Sequence, residues 1–372
     1  MSYLGQDIPK LGFGLMRLPM LDKEIDIEQT KTMVDKFLAA GFTYFDTAYG
    51  YHEGKSEEAA KIALVDRHPR EKFQLATKLP AWFGPKNAEE ARQMFFTSLE
   101  RTGAGYFDFY LLHNCGAERT KVFDDFGLWD FVLEQREKGL IKHVGFSMHD
   151  TADVLDDILT KHPEMEFVQL QVNYADWDSP TVQSAACLAA AKKHGKPVVI
   201  MEPVKGGLLS TLTPPAAAIL SEADPQVSPA SWALRFAASL DNVITVLSGM
   251  SNTRQMEDNL AVMADFRPLA AAEYAVIEKV KEALNAVESV PCTNCAYCLT
   301  GCPQGIAIPD IFGLLNQYLM FDSLEPAKSF YGMYTRGGGA AGTCSECAQC
   351  ESVCPQGIGI IQELKRAAAI FE

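Results

Sequence analysis

Two runs of cysteine carry the plainest chemistry in this chain. Cys292, Cys295, Cys298 and Cys302 stand in the spacing C-x-x-C-x-x-C-x-x-x-C-P, and Cys344, Cys347, Cys350 and Cys354 repeat it. Three thiolates at short spacing can wrap one corner of an iron–sulfur cube. In two-cluster runs of this kind the fourth cysteine ligates the other cluster. The spacing therefore assigns one [4Fe–4S] cluster to Cys292, Cys295, Cys298 and Cys354, and a second to Cys344, Cys347, Cys350 and Cys302. Zinc and disulfides are the competing readings. Zinc sites use four ligands in all, commonly as CxxC pairs, and not two four-cysteine runs each closed by Cys-Pro. The stretch is also an internal repeat, with CPQGIAI at 302–308 recurring as CPQGIGI at 354–360.

A second set of candidates lies far upstream. Asp46 follows the apolar run FTYF, and Tyr51 stands five residues further on. Lys78 follows FQLAT, and His113 follows FDFYLL. These groups gain meaning from the elements that must carry them. Short apolar runs at 11–14, 42–45, 73–77, 107–112, 141–147, 167–171, 197–201 and 243–247 alternate with helical patterns. The helical patterns fall at 27–40, from 56, at 87–101, 125–138, 151–161, 179–194, 228–239 and 253–264. Continuous apolar strands alternating with amphipathic helices predict a parallel sheet covered on both faces. Eight such units over about 250 residues is the size of a closed (β/α)8 barrel. An open doubly wound sheet is the alternative, and it would call for a Gly-rich GxGxxG turn that the sequence lacks. In a barrel, chemistry sits at the carboxyl ends of the strands. Asp46, Tyr51, Lys78 and His113 come from three neighbouring strand ends and can converge there.

Composition narrows the classes of partner. A formal charge of −15 with no basic run argues against nucleic acid or an anionic membrane. The opening MSYLGQDIPKLGFG has no charged segment followed by an apolar one, so no signal peptide is expected. No apolar run reaches the roughly 18 residues that span a bilayer. Ten cysteines without a secretory signal point to a reducing, cytoplasmic setting. Cys115 and Cys187, outside the two runs, read as buried inert thiols.

The upstream motifs carry a resemblance. FDTAYGY with Asp46 and Tyr51, TK at 77–78 and LLH ending at His113 resemble the catalytic tetrad of aldo-keto reductases. The likeness continues through GFS at 145–147, VQLQ at 168–171, PVKGGLL at 203–209 and SGMSNTRQMEDNL at 248–260. It covers nearly all of residues 8–265. With the paired cysteine runs, the chain resembles the iron–sulfur branch of that superfamily. The resemblance implies an α/β fold: a (β/α)8 TIM barrel over 1–266, a linking helix over 267–290 and a two-[4Fe–4S] ferredoxin-like domain over 291–372. The 41 residues between the cysteine runs, with helical patterns after each Cys-Pro, look like the all-helical two-cluster type. The Gly-rich stretch at 337–342 reads as a flexible lid or a connector.

The tetrad makes chemical sense. A carbonyl accepting a hydride develops an alkoxide and needs a proton. Tyr51 would supply it, Lys78 would lower the phenol pKa from about 10, Asp46 would hold Lys78 charged, and His113 would orient the carbonyl. By the same resemblance, Ser147 and Gln169 would bond a nicotinamide carboxamide. Met16 and Arg17, just past the first strand, and Pro203, Lys205 and Gly206, after the seventh, would line the cofactor. Met201 takes the place where the family often stacks an aromatic ring, and Met148 the place of its usual Asn. Ser251, Gln255, Asp258 and Asn259 would meet the adenosine end. Gly249 and Gln255 stand where members selective for a 2′-phosphate carry Lys and Arg, which leaves NADP and NAD both open.

Three functions remain open at this point. The first is an oxidoreductase that reduces, or forms, the carbonyl of a small molecule with NAD(P)H, with clusters that transfer electrons. The second is a reductase fed by a ferredoxin-like partner through the clusters without nicotinamide, using a flavin or a substrate able to pass through a radical, since a hydride carries two electrons and a cluster handles one. In the third the clusters are purely structural or a docking module.

Overall fold

The structure is a computed structural model that describes residues 3–292, 296–354 and 356–372. It divides into two compact units, Met1–Gly206 with Ala230–Tyr274, and Gly207–Pro229 with Ala275–Glu372.

The first unit is a closed barrel. Strand β1 (Leu11–Gly14) leads into a small antiparallel hairpin, β2 (Met20–Leu21) and β3 (Glu24–Ile25). The remaining strands are β4 (Tyr44–Asp46), β5 (Gln74–Leu79), β6 (Phe107–Cys115), β7 (Ile141–Met148), β8 (Phe167–Gln171), β9 (Val198–Met201) and β10 (Val243–Ser248). The order around the barrel is β1-β10-β9-β8-β7-β6-β5-β4, and β4 pairs back onto β1. Every barrel pair is parallel. Each strand therefore needs a helical return outside the sheet. Several returns start on side-chain caps that the sequence supplies. Asp26, Asn87 and Asn252 accept the backbone N–H three residues on, opening helices Ile27–Ala39, Ala88–Thr102 and Thr253–Met263.

Two cores follow from the period-two strands. Outward residues pack under the helices, where Phe37 meets Phe45 at 5.2 Å and Phe13 at 5.7 Å. Inward residues Tyr44, Ala76, Phe109, Leu111, Phe167 and Val199 fill the barrel. Gly145 is needed there, because a Cβ would collide with the Phe167 carbonyl and ring. Each large ring so buried contributes about 1.5–3 kcal/mol.

The second unit is helical. Ile308–Phe321, Leu324–Tyr334, Gln349–Ser352 and Ile360–Phe371 follow the helix Ala271–Asn285, and no strand occurs among the described residues of this unit. Ile306, Ile308, Phe312, Leu315, Ile360 and Leu364 are among the residues of its core.

The structure departs from expectation in places that have local causes. The helix read over 179–194 begins only at Ser184, because a turn tied to the Asp176 carbonyl by the Ser179 and Ser184 N–H groups occupies the preceding residues. The pattern at 125–138 splits into Thr120–Asp125 and Leu128–Glu137 around Gly127, whose φ is 62°. Helix Pro214–Ala223, within the loop after β9, was not foreseen. The Gly-rich stretch 337–342 is no free connector. Gly339, at φ 77°, rests on the Gly305 carbonyl, where a Cβ would collide. The Gly342 N–H donates to Glu372 at 2.9 Å, and the Ala341 N–H to the Tyr331 hydroxyl at 2.7 Å.

Candidate active site

Strand parity explains which polar groups meet. Side chains two residues apart share a face. The inward residues Tyr44, Ala76, Phe109 with Leu111, Phe167 and Val199 are followed two positions on by Asp46, Lys78, His113, Gln169 and Met201. Ser147 joins them as the register partner of Gln169. One polar layer thus lies on top of the aromatic filling, at the carboxyl ends of the strands.

The predicted tetrad assembles in this layer. Lys78 Nζ donates to Asp46 Oδ1 at 2.5 Å, to the Thr47 carbonyl at 2.7 Å and to the Tyr51 hydroxyl at 3.3 Å. Lys78 is 1% exposed and Asp46 2%, so this ion pair works in a low-dielectric setting. The loop that brings Tyr51 over Lys78 is pinned. The Tyr49 N–H donates to the Lys78 carbonyl at 3.2 Å, and Arg101 donates to the Tyr49 carbonyl at 3.2 Å. Arg101 also pairs with buried Glu57, which accepts from Thr77, the neighbour of Lys78, at 2.7 Å. His52 and Glu53, at φ 50° and 59°, absorb the bend behind Tyr51.

An irregularity follows His113. The β6–β7 register shifts between Leu112 and Cys115, a bulge that turns the chain out of the ladder. Asn114 takes φ 57°, and its N–H donates to Ser147 Oγ at 2.8 Å. The His113 ring lies 6.0 Å from that of Tyr51, near perpendicular. Its carbonyl accepts the Trp82 indole N–H at 2.7 Å. Buried His113 Nδ1 and Asn114 Oδ1 have no hydrogen-bond partner among the described residues.

Burial dominates the electrostatics. It lifts the Tyr51 phenol above its ordinary value; Lys78 pulls it down and Asp46 adds to the rise. The expected net lowering of Tyr51 by Lys78 is therefore overturned, because desolvation of the phenolate outweighs the nearby ammonium. Burial, and then Lys78, hold His113 well below the usual imidazole range, so the ring is neutral. Burial works against the Lys78 ammonium, but Asp46 and Tyr51 more than restore it. Burial raises Asp46 against the pull of Lys78 and Gln169. The pair is carboxylate and ammonium, with Lys78 donating to the Thr47 carbonyl as well.

The remaining candidates divide. Gln169 donates to Asp46 Oδ2 at 3.1 Å, so it braces the tetrad. Arg17 lies 3.8 Å from Glu202 and runs along Gly249, and Gly206, at φ 65°, faces its guanidinium. Met16 is exposed, Pro203 buried and Met201 half-buried. Lys205 is engaged by Asp176 at 2.5 Å. Gln255 reaches back to the Ser251 N–H at 2.7 Å while Asn252 caps the Gln255 N–H, a close variant of the capping box. Asp258 accepts from Ser231 at 3.3 Å, and Asn259 donates to Ser248 at 2.6 Å. Met148 has the opposite parity to Ser147 and is buried in the core under the helices. Trp82 and Arg119 escaped the sequence reading; the only signal was the exposed aromatic pair Trp82-Phe83 soon after Lys78.

The cysteines gather in the second unit. One cavity is lined by Cys292, Cys298 and Cys354, and another by Cys302, Cys344, Cys347 and Cys350. Each draws one cysteine from the opposite run, the crossed pattern expected. Cys295 lies outside the described residues. The two halves repeat in backbone detail. Gly305 and Gly357 have φ 60° and 62°, and their N–H groups donate to the carbonyls of Cys302 and Cys354, each at 3.1 Å. The helices that follow start at Ile308 and Ile360. Cys302, Cys344, Cys347, Cys350 and Cys354 are free thiols, which fits a soft-ligand site. Cys115 and Cys187 are buried as expected, and burial pushes the Cys187 thiol up to about 11. No helix of the described residues is long and apolar enough to cross a membrane.

Comparison with known proteins agrees with this arrangement. Residues 10–282 match the model described as "Aldo/keto reductase family", and residues 291–358 match "4Fe-4S dicluster domain". An aldo-keto reductase of Mycolicibacterium vanbaalenii is 28% identical over 277 residues, 74% of this chain and 89% of that protein. One from Mycobacterium avium is 26% identical over 267 residues, 68% and 80%. Among solved structures, the holo form of aldo-keto reductase AKR11C1 from Bacillus halodurans aligns with a TM-score of 0.59 at 24% identity. It covers 75% of this chain and 95% of its own. The aldo-keto reductase from Klebsiella pneumoniae in complex with NADPH aligns at 0.58 and 19% identity, covering 74% and 91%.

Proposed function

The chain belongs to the aldo/keto reductase family of oxidoreductases and carries a 4Fe-4S dicluster domain, and from that premise we propose that it interconverts a small-molecule carbonyl and its alcohol with a nicotinamide dinucleotide, Tyr51 giving the proton. The observation that carries this reading is the buried contact of Tyr51 with the Asp46–Lys78 pair beside a neutral His113. A bound nicotinamide would supply the hydride. Ser147 and Gln169, side by side in register, fit its carboxamide, and Arg17, which runs along Gly249 with its guanidinium beside Gly206, would meet its phosphates. Met201 offers the ring a thioether in place of an aromatic face.

The chain's own residues divide the work. The Tyr51 hydroxyl keeps its proton until a more basic alkoxide oxygen forms beside it. Lys78 then stabilises the phenolate left behind. Asp46, braced by Gln169, fixes Lys78. His113 can donate one hydrogen bond to the carbonyl oxygen. We assign catalysis to residues 1–266, the linking helix to 267–290 and cluster binding to 291–372.

The eight cysteines would hold two [4Fe–4S] clusters, which supply one-electron transfer. The apolar shells of both cavities support that use, since burial and backbone N–H groups tune cluster potential. The second reading, ferredoxin-fed and flavin-assisted without nicotinamide, is favoured by one feature: the thioether of Met201 where a stacking ring would stand. Protein purified without oxygen decides between them. We expect about eight iron atoms and eight sulfides per chain, and turnover with NAD(P)H. Full NAD(P)H activity in folded Cys347→Ala would remove the cluster of Cys302, Cys344, Cys347 and Cys350 from turnover. Failure of the wild type to bind NAD(P)H, with turnover from a reduced viologen, would replace the first reading by the second.

A further inference from the structure

Among the described residues, four lysines and arginines around the polar layer are matched with carboxylates, and Arg119 is not. Lys78 has Asp46, Arg101 has Glu57, Lys205 has Asp176 and Arg17 has Glu202. The Arg119 side chain has no ion pair or hydrogen bond among the described residues. Its guanidinium lies 4.8 Å from the centre of the Trp82 ring instead. Trp82 is fixed by its indole N–H on the His113 carbonyl, and its ring is 6.2 Å from the His113 ring. Arg119, Trp82, His113 and Tyr51 thus form a continuous row that ends at the hydroxyl expected to give the proton.

The loop that carries Arg119 is built, not loose. Asp150, at the end of β7, accepts the Ala117 N–H at 2.8 Å and the Thr151 N–H at 2.8 Å. Gly116 and Thr120 bond each other twice, backbone to side chain at 3.1 Å and backbone to backbone at 2.9 Å. An exposed cation held on an aromatic face next to a catalytic row, and left without a carboxylate among the described residues, is free to take an anion. The chain as a whole carries −15 and repels anions at long range, so an anionic substrate needs such a local contact.

We propose that Arg119 recognises a carboxylate on the substrate, and that the substrate is an oxo acid whose reacting carbonyl is separated from that carboxylate by a short, flat spacer lying along Trp82. This rests on the carbonyl-reductase reading above. Arg119 is a specificity residue and takes no part in the chemistry. A guanidinium meets a carboxylate through two parallel N–H bonds, and Lys reproduces only the charge.

The test compares 4-carboxybenzaldehyde with its methyl ester as substrates of the holoenzyme. The ratio of kcat/KM for acid over ester in the wild type should fall about tenfold in Arg119→Ala. Arg119→Lys should fall between the two, and the ester's own kcat/KM should stay within about twofold. An unchanged ratio in Arg119→Ala would overturn the proposal, as would an equal loss for both substrates. If neither aldehyde turns over, the reductase reading fails on its own account. Calorimetric titration with benzoate then still decides: binding lost in Arg119→Ala supports the carboxylate contact, and equal binding by both proteins refutes it.

Discussion

Replacing Tyr51 by Phe lowers kcat for carbonyl reduction by about 10²- to 10⁴-fold, the range a positioned proton donor contributes. The ring of Phe fills the same space, so packing against His113 at 6.0 Å and over Lys78 at 4.8 Å is kept. What is lost is a proton needed only in the transition state, so the defect falls on kcat and leaves ligand binding near normal. Lys78 still has Asp46 and the Thr47 carbonyl as partners, and the variant should fold. The pH profile gives a second readout. Reduction needs Tyr51 protonated, and burial lifts its pKa above the ordinary phenol value near 10. Wild-type kcat should hold level through neutral pH and fall only as pH rises past that value. Steady-state kinetics of both proteins from pH 6 to 11 check this, and near-normal turnover by Tyr51→Phe would remove Tyr51 from the mechanism.

Cys302→Ser should empty the cluster site of the other cysteine run. Cys302 lines the cavity of Cys344, Cys347 and Cys350, not that of Cys292 and Cys298. A serine oxygen is a poor substitute for a soft thiolate. Bound iron should fall by about half, from the eight expected of two clusters. Mössbauer or EPR spectra should lose one cluster and keep the other, and Cys354→Ser should give the complementary loss. Selective loss of the cluster held by Cys292 and Cys298 in Cys302→Ser would reverse the ligand assignment.

The barrel was legible because its strands are buried on both faces and read as unbroken apolar runs. Asp46, Lys78 and His113 stood out because each breaks such a run at the end where a barrel keeps its chemistry. The crossed cysteine pattern was legible because spacing alone encodes it. Other features needed three dimensions. Nothing local marks Arg119, whose importance lies in a carboxylate it does not have. The Tyr51 pKa depends on how far burial outweighs a neighbouring ammonium, which the order of residues does not express. Gln255 matched a cofactor position in sequence, yet its side chain is engaged in capping its own helix. Met148 aligned with a polar position, but strand parity turns it away from the site.

The aromatic filling beneath the polar layer has a consequence for traffic. Tyr44, Phe109 and Phe167, with Phe109 and Phe167 edge to face at 5.2 Å, stop the barrel like a cork. Molecules that reach Tyr51 have no rear exit, so whatever enters by the mouth of the barrel leaves by it. Two ligands that share one doorway must queue, and the one seated deeper goes in first and comes out last. The closed floor thus imposes an order on binding and release that the chemistry at Tyr51 does not itself demand.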